Sequence, residues 1–328
     1  MEQEIREHLR DPVYIYAVAH ALGEREPISG LTDPVVVDHL DLLHENGFQH
    51  YLASSRNVHE LAGESATRTL SSVDATQIGA VVYATNSPSE NVTHSQDGWA
   101  FLRAASLRGV PLTVVGGNGC GNLAIALRTA RNAVQAEGLS SALVVTTDRV
   151  TSGSRFEDSG SIILSDGAAS CVVGPTLRGP GFRLLGVSTA VKAELGGSAS
   201  LMAMARVIRT GIHRAVENLR RTVPGGAGPF RLLVTGNYGL TTRRMFSTLC
   251  GFDLSETYAP LVADIGHCFS ADLLISLAEL EKESLLRHGD RLLLLATSPQ
   301  SWSLIAVEYV VADRPDGRTP DESPLVIT

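Results

Sequence analysis

Apolar positions along the chain gather into two kinds of block. Short continuous apolar runs bounded by polar or glycine-rich stretches read as buried strands, and apolar residues three and four apart read as helices against a core. Residues 11–22 give a strand after a charged leader, 34–50 a helix ending at a turn on Gly47, and 57–71 a helix with small residues on one face. Strands follow at 77–85 and 111–116. From Gly121 to Glu137 the residues Leu123, Leu127, Ala130 and Val134 keep helical spacing, and strands at 141–147 and 168–173 come next. A Pro/Gly break at 176–181 interrupts the series. Beyond it the rhythm restarts: strand 182–190, helix 200–222, a PGGAG loop, strand 231–235, helices 241–250 and 270–287, then strands 291–297 and 303–311. This alternation places the chain in the α/β class. The second part mirrors the first in rhythm without a letter-by-letter repeat, which predicts two halves, 1–176 and 177–328. The tail from Arg314 is polar and Pro-rich and reads as loose.

Composition narrows the function classes. The 328 residues are 44% apolar but only 5% aromatic, with 31 glycines, so the core is built from small aliphatics and close backbone contacts. The net charge of −8, with no basic block, argues against nucleic acid as partner. No apolar run approaches the roughly 20 residues needed to cross a bilayer, and the leader MEQEIREHLR lacks the apolar core of a secretory signal. The four cysteines show no CxxC spacing, which argues against a disulfide scaffold or a structural zinc and fits a reducing cytoplasm. His39, His44 and His50 lie at helical spacing without a nearby cysteine and read as a solvated face, so no metal site is expected.

The segment GGNGCGNLAIALRTA (116–130) carries the most chemistry. A strand ends, glycines permit a sharp turn, and Cys120 falls where a helix begins. The free N–H groups and the positive dipole end of that helix favour a thiolate and can hold a developing oxyanion. The competing reading is a small packed cysteine; it is adopted for Cys171, inside a strand, and for Cys250 and Cys268. The glycines do not complete GxGxxG, because Asn122 stands at the third position. They do not complete the hydrolase elbow either, because Asn118 and Asn122 flank the cysteine.

With these segments in view, the chain resembles the β-ketoacyl-ACP synthase III group of the thiolase superfamily over about residues 13–311. The likeness is carried by YATNSPSE (83–90), NGCGNLAIALRTARNAV around Cys120, ALVVTTDRVT with ILSDGAASCVV (142–151, 163–173), and GDRLLLLATSPQSWSLIAVEY (289–309). The resemblance implies a thiolase fold, five-layered αβαβα from two pseudo-equivalent halves, and a homodimer. It also implies substrates carried on the phosphopantetheine of an acyl carrier protein or of CoA, with no further cofactor. Condensing members pair a His in an HQxN segment with an Asn in a GNT segment. Here the first segment reads TGNYGL (235–240), with Asn237 at or next to the His position. The second reads DIGHCFSAD (264–272), with His267 at the Asn position and Asp272 five residues on.

This interchange resembles the synthase-III-like acyltransferases of secondary metabolism, which use Cys, His and Asp. The resemblance implies Cys120 as nucleophile, His267 as base and Asp272 as its orienting carboxylate, with Asn237 as a further candidate. Acyl transfer needs such a set: a thiolate, a base for the incoming hydroxyl, amine or thiol, and a group to orient the base. The family's oxyanion donors correspond to the backbone amides of Cys120 and of Thr297 or Ser298, because Pro299 has no N–H. The family's carrier-docking helix corresponds to 200–222, with Arg206, Arg209 and Arg214; the other reading of these arginines is a solvated face. Asp166 reads as a turn anchor. Three functions stay open: acyl transfer, decarboxylative condensation with a malonyl unit, and a silent partner subunit of a ketosynthase-like complex.

Overall fold

The computed structural model describes residues 11–151, 153–157, 162–192, 201–223 and 229–312. The leader, the PGGAG loop and the tail from Arg314 lie outside the described residues. In chain order the first half holds β1 (Tyr14–Leu22), β2 (Glu24–Pro27), α1 (Pro34–Asp38), α2 (Leu40–Glu45), β3 (His50–Ala53), α3 (Val58–Leu70) and β4 (Ile78–Ala84). It continues with α4 (His94–Ala104), β5 (Leu112–Val115), α5 (Asn122–Glu137), β6 (Ser141–Asp148), β7 (Phe156–Glu157), β8 (Ile162–Ile163) and β9 (Gly167–Gly174). The second half holds β10 (Pro180–Val191), α6 (Leu201–Thr222), β11 (Leu232–Thr235), α7 (Leu240–Cys250), β12 (Thr257–Tyr258), α8 (Val262–Ile265), α9 (Asp272–Lys282), β13 (Arg291–Ser298) and β14 (Ser301–Val311).

Ten of these strands form one sheet in the order β12-β11-β13-β14-β10-β1-β9-β6-β4-β5. Directions repeat outward from the middle. β1 runs antiparallel to β9, β9 antiparallel to β6, and β6, β4 and β5 run parallel. The other side matches step for step: β10 antiparallel to β14, β14 antiparallel to β13, and β13, β11 and β12 parallel. The two series meet where Tyr14 pairs with Arg183 and Ile15 with Phe182.

Alternation along each strand sorts the side chains into layers. Val82 and Val144 of the first half face inward, together with Leu294, Ile305 and Val307 of the second, onto Leu123, Leu127 and Ala130 of α5 and Leu274 and Leu277 of α9. Their neighbours Val81, Tyr83, Leu143 and Val145 face outward onto Ala62, Ala66 and Phe101 of α3 and α4. Leu293, Leu295, Leu304 and Ala306 face outward onto Ile212, Ala215, Leu219 and Phe246 of α6 and α7. The result is five layers, helix–sheet–helix–sheet–helix, as the resemblance implied.

Local details depart from the pattern reading. The stretch 34–50 is two short helices broken at His39, whose backbone (φ −118°, ψ 14°) is not helical, followed by β3. The helix α9, expected over 270–287, spans Asp272–Lys282. The pattern reading names no helix at 94–104; the start of α4 is nevertheless written in the letters as a capping box, with Thr93 and Gln96 each bonding the other's backbone.

Candidate active site

Cys120 lies in a one-turn 3-10 segment, Gly119–Gly121, at the mouth of α5. Two left-handed glycines, Gly117 (φ +82°) and Gly119 (φ +54°), turn the chain out of β5. Gly119 could not be replaced, because an added Cβ would sit 2.9 Å from that of Ser298. The Asn118 amide donates to Asn122 Oδ1 (3.1 Å), and Gly121 N–H donates to the Asn118 carbonyl (2.9 Å), so the turn is tied at both ends.

His267 comes from the other half. Its backbone is held by the Ile163–Ser165 segment of the first half: its N–H donates to Ile163 O (2.8 Å) and its carbonyl accepts from Ser165 N (2.9 Å). The imidazole is fully buried, with Nε2 3.0 Å from Cys120 Sγ and Nδ1 2.5 Å from Asp272 Oδ2. Asp272 is the first residue of α9 and is also fully buried. Its Oδ2 accepts a second bond from the Asn237 backbone N–H (2.6 Å), and its Oδ1 accepts from Cys268 N–H (2.8 Å) and Asn237 Nδ2 (3.2 Å). Cys120, His267 and Asp272 thus form an unbroken line, thiol to imidazole to carboxylate.

Burial works against a charge on His267, but the neighbouring Asp272 and then Cys120 outweigh it and hold the imidazole well above its usual range. The other cysteines offer no such setting. Burial pushes the thiol of Cys171 up and that of Cys250 to about 12, and burial followed by Asp272 pushes Cys268 up.

The remaining residues singled out in the sequence fall as follows. Asn237 is buried, and its amide donates to Asp272 rather than to a position over the thiol. At Gly236 an added Cβ would meet Asp272 Oδ2 at 3.1 Å and His267 Cε1 at 3.2 Å, so the His–Asp pair occupies the space a side chain there would need. Thr297 and Ser298 end β13, and Ser298 packs on Gly119 of the elbow. Arg206, Arg209 and Arg214 are exposed on α6 and make no ion pair among the described residues. Asp166 anchors a turn, accepting from Ser54 N, Val150 N and both terminal nitrogens of Arg155. His39, His44 and His50 each bond a backbone carbonyl through Nδ1.

Sequence reasoning passed over Tyr238. Its ring lies 5.0 Å from that of His267, and its hydroxyl lies 2.8 Å from Thr297 Oγ1. The only available signal was its place directly after Asn237.

Residues 117–193 match the family model described as 3-oxoacyl-[acyl-carrier-protein] synthase III. No curated protein matches the chain. Solved structures do. A protein described as the acyltransferase ChlB3 superposes with a TM-score of 0.77 at 18% identity, covering 91% of this chain and 98% of its own. The 3-oxoacyl-[acyl-carrier-protein] synthase III of Aquifex aeolicus superposes with a TM-score of 0.74 at 15% identity, covering 90% and 99%. A variant of OleA from Xanthomonas campestris superposes with a TM-score of 0.72 at 16% identity, covering 90% and 98%. The chain therefore has the thiolase fold in its β-ketoacyl-ACP synthase III-like form, and its cysteine elbow lies within the stretch that matches that family's model.

Proposed function

We propose that this chain is an acyltransferase that moves an acyl group from a carrier-protein or CoA thioester, through an acyl-Cys120 intermediate, to a hydroxyl, amine or second carrier. The observation that carries the reading is the line from Cys120 Sγ through His267 to Asp272, at 3.0 and 2.5 Å. In loading, Sγ attacks the thioester carbonyl and the bond to the donor sulfur breaks. The thiol proton passes to His267 Nε2 and on to the departing sulfur. In transfer, neutral His267 takes the proton of the acceptor O–H, N–H or S–H as that atom attacks the acyl carbon, and Sγ leaves. Asp272 keeps Nδ1 protonated, so that Nε2 faces the reaction. The amides of Cys120 and of Thr297 or Ser298 are the donors for the oxyanion in both steps.

Condensation asks for two donors on the malonyl thioester carbonyl. Position 236 carries no side chain and the Asn237 side chain is turned to Asp272, which leaves His267 as the side-chain donor beside the thiol. That supports transfer over condensation. We place the enzyme in the cytoplasm, in secondary metabolism, as a homodimer: β5 ends the sheet, one edge free of strand pairing among the described residues, and Trp99 on the neighbouring α4 is exposed. Among the described residues no helix is long and apolar enough to cross a membrane.

The test supplies an acyl thioester with alcohol, amine and carrier-thiol acceptors, and separately with a malonyl thioester. Ester, amide or transferred thioester without carbon dioxide is expected. Carbon dioxide release with a β-keto product would replace this reading by condensation.

A further inference from the structure

Tyr238 sits in the turn between β11 and α7 and is held from several directions. Its N–H donates to Gly236 O (2.8 Å), and its carbonyl accepts from Arg243 Nε (3.0 Å). Its ring meets that of Phe246 edge-on, at 5.3 Å and 77°. The side chain is buried, and the hydroxyl reaches Thr297 Oγ1 at 2.8 Å. A ring fixed this way presents itself to the His267 imidazole at 5.0 Å with a 33° tilt, nearer to stacked than to edge-on.

We propose that Tyr238 is a positioning residue: its ring is the platform that holds His267 between Cys120 and Asp272 and favours the imidazole's charged form, and its hydroxyl ties that platform to the strand end bearing the oxyanion amides. The role rests on the acyl-transfer reading above. The physical basis is the negative face of an aromatic ring, which attracts a cation lying over it and does so more strongly when water is excluded. His267 is such a cation twice per turnover, once holding the thiol proton and once holding the acceptor proton. Tyr238 itself gives up no proton. The titratable groups facing His267 among the described residues are Cys120 and Asp272; Asp148, Asp166 and Arg155 of the neighbouring elements bear on the adjoining Cys268. The second ring nearby, Phe269, lies farther off, at 6.0 Å. The hydroxyl's partner, Thr297, immediately precedes Ser298, which presses on Gly119 of the cysteine elbow. Base, oxyanion strand and nucleophile are thereby packed as one unit.

The ring's effect can be read without any acyl chemistry. In a Cys120→Ala background the thiol is gone, and the titration of a carbon-13-labelled His267 imidazole by NMR reports its surroundings even if the chain proves not to be an acyltransferase. Tyr238→Phe keeps the ring and is expected to leave the midpoint in place. Tyr238→Met fills most of the space without a ring face and should lower the midpoint by about half to one pH unit, because the cation loses its partner. Thermal melts check folding, and Tyr238→Leu stands in if the Met variant does not melt cooperatively. A midpoint common to ring-bearing and ring-less forms, or an equal shift in both, overturns the platform. For the hydroxyl, Tyr238→Phe with Cys120 intact should slow acyl loading about three- to tenfold, the worth of one hydrogen bond. Unchanged loading overturns that tie.

Discussion

Asp272 receives four donors: His267 Nδ1, two nitrogens of Asn237 and the amide of Cys268. A carboxylate can accept all four, whereas an amide in its place has one oxygen and turns its nitrogen toward some of them. Asp272→Asn is therefore expected to fold but to lose about 10³–10⁴-fold in single-turnover transfer, because the imidazole no longer keeps its tautomer. A loss below tenfold would remove Asp272 from the line. A second buried carboxylate, Asp148, does a different job. It accepts from Asn86 N, Ser87 N and the hydroxyls of Thr85 and Ser87, yet burial raises it to about 6. A raised acid favours folding below its unfolded value and loses that contribution as pH rises through the folded one. Wild type should thus lose about 2–3 kcal/mol relative to Asp148→Asn between about pH 4 and 7, seen in urea melts across that range. At this scale the sequence was readable where chemistry is local: Cys120 at a glycine turn, and His267 five residues before Asp272. It was silent on the partnership of Asn237 with Asp272, which joins positions 35 apart through the packing of a strand end on a helix start.

The turn that carries Cys120 and the turn that follows His267 are copies of one device. In each, a 3-10 turn runs into a core helix, Gly119–Gly121 into α5 and Phe269–Ala271 into α9. In each, the amide four residues before the helix's first residue bonds that residue's side-chain oxygen: Asn118 to Asn122 and Cys268 to Asp272. In each, a left-handed residue precedes the central one, Gly119 at φ +54° and Phe269 at φ +53°. A phenylalanine in that region is strained, and strain of this kind is kept where packing over-determines the chain. The shared geometry asks only for an oxygen cap and a tolerated φ, so GCGN and FSAD meet it with different letters. That is why the sequence shows a repeated rhythm but no repeated words. The base turn depends on Gly266 (φ +59°), where an added Cβ would lie 2.8 Å from the Ile163 carbonyl that binds the His267 amide. Gly266→Ala should cost about 1–3 kcal/mol, read as a lower urea midpoint at constant slope. An unchanged midpoint would show that the turn is not fixed by that glycine.

Across the whole molecule, the cysteine comes from one half and the His–Asp pair from the other. The two are sewn together by main-chain bonds between His267 and the Ile163–Ser165 segment. A site at this seam needs both halves correctly packed, which is what the five layers provide. The net charge of −8 gives the chain no general attraction for an acidic carrier protein, so recognition would fall to a local patch. Arg206 and Arg209, exposed on α6, are the residues the docking proposal assigns to that patch. Reversing both charges should raise KM for carrier-bound donors about tenfold or more while sparing small acyl thioesters; equal effects on both donors would sink the docking role. The layered class was readable from strand–helix alternation. The joining of both halves into one continuous sheet was not, because it rests on two residue pairs between β1 and β10.

The central claim is the acyl-Cys120 intermediate passed on by His267. Intact mass after incubation with acyl thioesters reads it directly. Wild type should gain one acyl mass and lose it when an acceptor is added. Cys120→Ala should gain none, and His267→Ala should load slowly and keep its acyl group in the presence of acceptor. An adduct on Cys120→Ala, or prompt discharge by His267→Ala, would contradict the account.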